Sequence, residues 1–593
     1  MTEFAKELLT KHYCREGESV EQAFTRACMC FGSNASHSDR LLSYLKNEWF
    51  MFASPILSNA ILPGEKAKGL PISCFLTYVD DSIKGLCEHT TEERILSVKG
   101  GGVGGHWSSV RAISDITPGV NGFLHTVDAD MVAYRQGKTR RGSYAAYLDM
   151  SHPEIIEFIK MRIPTGDLNR KNLNLHHGVN ITDDFMDAVD NDSDWSLVDP
   201  NSCEVIEVVK ARELWEMLLE TRYRTGEPYI NNLDEANERL HPALKTRGLR
   251  INGSNLCNEI HLPTNEDRTA VCCLSSVNLA TYDAWSLFPG FIHDLIEMLD
   301  NVLQFFIDNA PDELAKARYS AERERSLGLG AMGYHDYLQS KSIAWESSIA
   351  ISVNRSIFKY IKDEAVKATQ VLAVERGEAP DALGHGVRNT HLLAIAPNAN
   401  SSIIMGVYAS IEPRASNAYT HKTRVGSYLV KNNYLEDVIN KHIDALTIKH
   451  RIGETLEQSK INFKEEIWAS IMANDGSVQH LTILSDSDKD VFKTAFELDQ
   501  KWVVTHAKAR QEYICQGQSV NLFFPSGANK EYVNQVHRLA FRESDDGFHP
   551  LKGVYYLRTE SSKKTEKVNV KVKRDALQDG VQGSLDECVS CQG

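Results

Sequence analysis

Short apolar runs of strand length alternate with helical patterns over several hundred residues, and this alternation suits a large α/β barrel. At 593 residues the chain is long enough for several ordinary domains or for one very large barrel with appendages. Residues 1–50 depart from the pattern and read as amphipathic helices. Ser19, with Gln22 at the capping-box position, starts one that runs on to Cys30. Cys28 and Cys30, two residues apart on a helix, face different sides and read as packing residues. A further helix is expected from His152 to Arg162, with Pro153 in its first turn. The barrel is expected to occupy 51–557, with a charged helical insertion near 440–512. From 558 to 593 the composition turns to Lys, Glu, Ser, Val and Gly, which reads as a mobile tail.

Gly100-Gly101-Gly102-Val103-Gly104-Gly105 contains the spacing of a dinucleotide-binding loop, but Thr91 to Leu96 before it reads as helix and no βαβ unit follows. Glycine here is expected to permit close backbone packing inside the barrel. A net charge of -15 argues against a duplex-binding surface, because phosphate contacts need clustered Lys and Arg; no nucleic-acid partner is expected. Twelve cysteines are too dilute for a secreted disulfide scaffold, and Met1-Thr2-Glu3-Phe4 opens no signal-peptide pattern. No apolar run is long enough to cross a bilayer. These features point to a reducing, cytoplasmic compartment, in which a disulfide is catalytic rather than structural.

The chemistry centres on Gly253-Ser254-Asn255-Leu256-Cys257-Asn258-Glu259-Ile260. In an extended or tightly looped segment alternate residues share a face, which sets the Cys257 thiol between an amide, Asn255, and a carboxylate, Glu259. Taken alone, the octapeptide fits equally a buried structural cysteine beside a chance polar pair. Other motifs follow the same theme: Ser54-Pro55 at a turn, Ser73-Cys74, Cys272-Cys273-Leu274-Ser275, Pro397-Asn398-Ala399-Asn400-Ser401-Ser402, Tyr555-Tyr556, and a terminal Cys588-Val589-Ser590-Cys591. The Pro397 to Ser402 stretch opens a helix whose free amides and hydroxyls could cradle a diphosphate, or is simply a helix start. The terminal cysteine pair could hold zinc, but a structural site takes about four ligands and no second pair lies nearby, so no metal site is expected.

In this order, from about Ser54 to the last residue, the chain resembles the large, catalytic subunit of class I ribonucleotide reductases. The resemblance implies a ten-stranded α/β barrel of two antiparallel five-stranded halves with Cys257 on a central finger loop. It implies that Cys257, as a thiyl radical, takes the 3′-hydrogen of the ribose while Glu259 accepts the 3′-hydroxyl proton and Asn255 orients the substrate. Cys74 and Cys272, rather than Cys273, supply two electrons and end as a disulfide, which Cys588 and Cys591 then reduce by thiol exchange. Ser54, Ser73 and Pro397 to Ser402 hold a ribonucleoside diphosphate. Asp81, Ser82, Gln136, Arg140 and Arg141 hold an allosteric dNTP or ATP at a specificity site that includes loops 112–120 and 135–143. Tyr555 and Tyr556, a stacked pair near Cys257, relay a radical from the metal or tyrosyl centre of a separate small subunit, and this subunit itself binds no cofactor. A homodimer and a thioredoxin or glutaredoxin reductant are implied, with no membrane association. The family's N-terminal ATP cone is not expected: Val570 to Asp575 echoes its motif, but too little chain remains there for a domain. An adenosylcobalamin-dependent reductase shares the barrel and cysteines, and lack of the tyrosine pair would favour it. A silent nucleotide-binding regulator would be expected to have lost one of Cys74, Cys257 or Cys272.

Overall fold

The computed structural model describes residues 1, 3–134, 142–422, 427–445, 455–542 and 547–560. Strands Cys74–Tyr78, Gly102–His106, Tyr144–Asp149, His176–Ile181 and Tyr229–Asn232 lie side by side in that order, all parallel. Helices such as Ile83–Lys99, Gly119–Ala133 and Ala211–Thr225 fall between them in the chain, the crossovers that parallel strands require. The strands are buried almost throughout, and so they read as continuous apolar runs rather than alternating ones.

A second set starts with Ala270–Asn278 and its parallel neighbour Leu327–Met332. It continues through the parallel bridges Leu329 to Leu393 and Ile395 to Gln518, and then through Leu522–Phe524 parallel to Leu557–Thr559. The two sets meet antiparallel at both seams: Cys74–Tyr78 pairs with the start of Ala270–Asn278, and Tyr229–Asn232 pairs with Gly553–Val554. The five strands of the first set and the five segments of the second (270–278, 327–332, 393–395, 518–524, 553–559) thus close a ring, the ten-stranded architecture that the family resemblance implies.

Helices Glu3–His12, Val20–Phe31 and Ala35–Lys46 pack into the same core as the barrel. The second starts with the expected capping box: Gln22 N donates to Ser19 Oγ at 3.2 Å, and Ser19 N donates to Gln22 Oε1 at 2.8 Å. Buried Arg26 joins this layer to the barrel, pairing with Glu18 and donating to the carbonyls of Leu57 at 3.0 Å and Ala60 at 2.7 Å. The charged segment over 440–512 divides. A separate apolar cluster runs from Ala418 through Leu435, Ile467 and Trp468 to Phe492, whereas Val503, Val504 and Ala507 of helix Gln500–Gln511 belong to the main core. Among the described residues no helix is long and apolar enough to cross a membrane.

The helix expected from His152 to Arg162 is confined to Ile155–Ile159. Its acidic residues serve other elements: the Glu154 carboxylate accepts from Val120 N at 2.7 Å and Asn121 N at 3.3 Å, capping helix Gly119–Ala133 from outside. The glycine run forms strand Gly102–His106, preceded by helix Ile83–Lys99 as expected, but contrary to expectation a βαβ unit follows, because helix Gly119–Ala133 crosses over to the parallel strand Tyr144–Asp149. A Cβ on Gly104 would lie 1.9 Å from the Ser254 carbonyl oxygen, so the glycine is what admits the 253–260 loop to the barrel. Gly104→Ala is therefore expected to destabilise the protein by about 1–3 kcal/mol through overpacking. Urea denaturation of the variant beside the unaltered chain measures this directly.

Candidate active site

Residues 253–260 form no regular element, and Ser254 to Ile260 are all buried within the barrel. Buried backbone groups must be paired, and here side chains pair them. Asn255 Oδ1 accepts from Glu259 N at 3.0 Å and Ile260 N at 3.1 Å, closing the loop into a tight turn that carries Cys257. Tyr147 Oη donates to Asn255 O at 2.6 Å, and Ser254 Oγ donates to Ile260 O at 2.8 Å. Asn258, in the left-handed region at φ 59°, donates through Nδ2 to Ile230 O at 3.2 Å and Val554 O at 3.1 Å. It thereby fixes the finger to both strands of the seam at Tyr229–Asn232. Ser519 Oγ lies 2.7 Å from Cys257 O and 3.2 Å from Glu259 Oε2, and Gly517 N donates to Glu259 O at 2.7 Å.

Cys74 and Cys272 face each other in register across the other antiparallel seam, although almost two hundred residues separate them in the chain. Cys74 Sγ lies 3.3 Å from the Asn255 Nδ2 donor and 3.9 Å from Glu259 Oε1, so the finger and the cysteine seam form one cluster. Gln516 Nε2 donates to Cys272 Sγ at 3.4 Å. Successive strand residues point to opposite faces, and Cys273 Sγ accordingly turns outward, 3.4 Å from the Leu299 carbonyl of helix Phe291–Asn309. Burial, then the nearby Cys273, Cys74 and Glu259, pushes the Cys272 thiol well above the ordinary range.

Tyr555 and Tyr556 are buried at the opposite seam with ring centroids 4.3 Å apart. Their planes are inclined at 53°, so the pair is tilted rather than stacked as expected; the two residues lie between strands Gly553–Val554 and Leu557–Thr559, where no pleat sends their rings to opposite faces. Tyr229, to which the sequence reading gave no role, completes an aromatic cluster, with centroids 4.7 Å from Tyr555 and 5.1 Å from Tyr556. Burial, then Tyr556, Glu227 and finally Cys257, raises its phenol well above the ordinary value.

The ribonucleotide reductase barrel domain matches residues 72–382 and 379–557, and the all-alpha domain of the same enzymes matches 1–65. The chain belongs to the ribonucleotide reductase large-subunit family. A Frog virus 3 (isolate Goorha) protein bearing the name of a ribonucleoside-diphosphate reductase large subunit is 51% identical over 100% of this chain and 99% of its own length. The ribonucleoside-diphosphate reductase large subunit of Invertebrate iridescent virus 3 is 39% identical over 95% of this chain and 94% of its own. Among solved structures, the class Id ribonucleotide reductase alpha subunit of Actinobacillus ureae superposes with a TM-score of 0.80 at 32% identity, covering 94% of this chain and 97% of that one.

Within this ribonucleotide reductase barrel the expected substrate residues gather near one another. Ser54 starts helix Ser54–Asn59, and its Oγ is 2.9 Å from Tyr13 Oη, which accepts from Asn400 Nδ2 at 2.7 Å. Tyr13, unmarked in the sequence, thus ties the Ser54 turn to helix Ala399–Met405. Asn398 caps that helix at φ 56°, its Oδ1 accepting from Ser276 Oγ at 3.0 Å and its Nδ2 donating to Ala331 O at 3.0 Å; Ser401 and Ser402 are buried in the first turn, following Pro397 and Ala399. Ser73 Oγ contacts Cys74 Sγ at 3.5 Å. Asp81 and Ser82 lie on the outside of the barrel, Asp81 paired with Arg111 at 2.8 Å and Ser82 capping helix Ile83–Lys99. Gln136, Arg140, Arg141, Cys588 and Cys591 lie outside the described residues.

One group with the spacing of metal ligands, His37, Asp294 and Glu297, already has protein partners. Asp294 is held by Arg40 at 2.7 Å and Tyr44 at 2.7 Å, and His37 Nε2 faces the Asp294 carbonyl at 3.0 Å. The group binds the N-terminal helices to helix Phe291–Asn309. For the cysteines, exposure and thiol basicity fix an order of reactivity. At pH 8 iodoacetamide is expected to label exposed Cys87 and Cys203 rapidly, and buried Cys28, Cys272 and Cys273 only on unfolding. Mass-spectrometric mapping of the labelled peptides over time reads this order.

Proposed function

We propose that the chain is the catalytic subunit of a ribonucleoside-diphosphate reductase, making 2′-deoxyribonucleotides by radical chemistry. The observation that carries this reading is the Cys74 and Cys272 register pair set against a finger that holds Cys257, Asn255 and Glu259, with Cys74 Sγ 3.3 Å from Asn255 Nδ2 and 3.9 Å from Glu259 Oε1. A ribose C–H bond is too strong for an ordinary base, and only a radical abstracts its hydrogen. Cys257 as a thiyl radical takes the 3′-hydrogen, and Glu259 accepts the 3′-hydroxyl proton. The 2′-hydroxyl leaves as water, taking its proton from the Cys74 and Cys272 pair. These thiols give up two electrons and form a disulfide, after which Cys257 returns its hydrogen atom to C3′ and is a thiyl radical again. Asn255 is the bridge between substrate, Glu259 and Cys74.

The substrate diphosphate lies over the amides and hydroxyls at the start of helix Ala399–Met405, namely Pro397, Asn398, Ala399, Asn400, Ser401 and Ser402, with Ser54 and Ser73 at its edge. Tyr555 and Tyr556 carry the oxidising equivalent from a small subunit, whose metal or tyrosyl centre supplies the one-electron oxidant. Their aromatic cluster, at the seam where Asn258 of the finger bonds to Val554 beside the pair, favours this route over one through adenosylcobalamin. An allosteric dNTP or ATP binds with Asp81, Ser82, Gln136, Arg140 and Arg141. Cys588 and Cys591 reduce the Cys74 and Cys272 disulfide and are themselves reduced by thioredoxin or glutaredoxin, in a cytoplasmic homodimer.

Reduction of CDP with dithiothreitol, assayed with a class I small subunit and separately with adenosylcobalamin, tests the reading. Turnover is expected only with the small subunit and is expected to vanish in Cys257→Ser; turnover with adenosylcobalamin alone would overturn the tyrosine relay. After a single turnover without reductant, peptide mapping is expected to find Cys74 linked to Cys272. A link from Cys74 to Cys273 would contradict the outward orientation of Cys273.

A further inference from the structure

The sulfur of Cys272 is held by an amide that the proposed chemistry has not yet used. Gln516 is buried on the segment leading into strand Leu522–Phe524, and its side chain bonds to three parts of the barrel. Its Oε1 accepts from His261 N, just beyond the finger, at 3.2 Å. Only the carbonyl end of a side-chain amide can accept from a backbone N–H, so the NH2 end is the one that faces the cysteine. There Nε2 donates to Leu327 O at 2.9 Å and to Cys272 Sγ at 3.4 Å, one bond for each of its two hydrogens. The backbone is held as firmly: Gln516 N donates to Leu393 O at 3.1 Å, and Gln516 O accepts from Gln511 Nε2 at 2.8 Å. Every polar atom of Gln516 thus has a partner, and one N–H is kept on a redox sulfur.

The two sulfurs of that seam differ in what they face. Asn255 Nδ2 lies 3.3 Å from Cys74 Sγ, but the Cys74 thiol is directed at Glu259 Oε1 at 3.9 Å, so negative charge on this sulfur would sit beside a carboxyl group. The Cys272 thiol is directed at a neutral carbonyl, Cys273 O at 3.8 Å. Burial, then Cys273, pushes the Cys272 thiol up, and the Gln516 hydrogen bond pulls it back down. Access differs as well. Cys272 lies on a strand with Cys74–Tyr78 on one side and Leu327–Met332 on the other. On that second side a Cβ on Gly328 would lie 2.9 Å from Cys272 Sγ. A thiolate attacks a disulfide in line with the S–S bond, from the side away from the leaving sulfur. For Cys272 that side is closed by Gly328 and Gln516.

We propose that Gln516 stabilises Cys272 as the leaving thiolate when the Cys74–Cys272 disulfide is reduced, so that the exchange opens at Cys74; this rests on the redox pairing proposed above. The first thiol of a dithiol reductant gives its proton to solvent and attacks Cys74 Sγ as the thiolate. A bond forms between these two sulfurs, the Cys74–Cys272 bond breaks, and its electron pair leaves on Cys272. The Gln516 N–H meets that charge at once, in a dry site where no water is needed to do so, and a more stable leaving thiolate departs faster. Cys272 then takes the proton of the reductant's second thiol. That thiol, now a thiolate, attacks the reductant's own first sulfur and displaces Cys74, which takes a proton from solvent. Two electrons have passed from the reductant, which ends as a disulfide, and both cysteines end as thiols.

The test uses the full-length chain oxidised with diamide, in which peptide mapping is expected to find Cys74 linked to Cys272. Loss of that link in dithiothreitol is followed by acid quench and mass spectrometry. Gln516→Met fills the same space without an N–H and is expected to slow the reduction about 10-fold. A role confined to packing has the opposite sign, because a loosened seam exposes the disulfide and speeds its reduction. A second arm needs no variant: with glutathione, a monothiol, in place of dithiothreitol, the mixed disulfide caught by acid quench on the unaltered chain is expected on Cys74, with Cys272 a free thiol. A folded Gln516→Met protein reduced as fast as the unaltered chain or faster, or glutathione caught on Cys272, overturns the inference. If diamide yields no link between Cys74 and Cys272, the redox pairing itself falls, and the inference with it.

Discussion

The barrel depends on one constraint: a polar octapeptide can occupy its centre only if every buried backbone group in that octapeptide finds a partner. Leaving a single buried amide unpaired costs about 1–3 kcal/mol, and the loop from Gly253 to Ile260 has no strand ladder of its own. Two asparagines supply much of what a ladder would have given. Asn255 closes the turn from within by accepting from two amides, and Asn258 reaches out to the carbonyls of Ile230 and Val554. The Cys257 thiol is therefore carried on a turn whose backbone its neighbours hold in place.

The same constraint explains the seams. Where the two parallel half-barrels meet, strands run antiparallel, and each seam carries part of the proposed reaction. One brings Cys74 opposite Cys272. The other brings Tyr555 and Tyr556 beside Tyr229, with Asn258 bonded to both of its strands. The finger lies between the two, so in the proposed reaction electrons for the sugar come from one side and the oxidising equivalent from the other. Gly104 is the opening in the wall: a single methyl group there would collide with the Ser254 carbonyl.

The periphery stabilises this arrangement through charge. Arg26 fixes the helical layer to the Ser54 turn, and Asp294 holds the same layer through Arg40 and Tyr44. Glu154, just before the short helix Ile155–Ile159, caps a neighbouring one by accepting from the amides of Val120 and Asn121. Tyr13, from the N-terminal layer, connects Ser54 to Asn400 and so brings two distant phosphate-binding candidates together.

The amino-acid sequence by itself determined the alternating α/β pattern, the capping box at Ser19, the rejection of a dinucleotide loop at Gly100 to Gly105, and a short list of candidate cysteines and tyrosines. These are local properties, set by spacing, propensity and residue type. It also favoured Cys272 over Cys273 by motif alone, and the strand alternation that turns Cys273 toward Leu299 supplies the physical ground. The pairing of Cys74 with Cys272 was expected from the family resemblance, but only the tertiary structure brought Tyr13 to Ser54 and Asn400, Tyr229 to the tyrosine pair, and His176 to Tyr556. Asn258, Gln516, Tyr229 and His176 carry no local signature, since an amide, a phenol or an imidazole in a strand or loop reads as ordinary packing. Their roles arise from long-range pairing across the seams, where burial leaves polar groups no partner except one another.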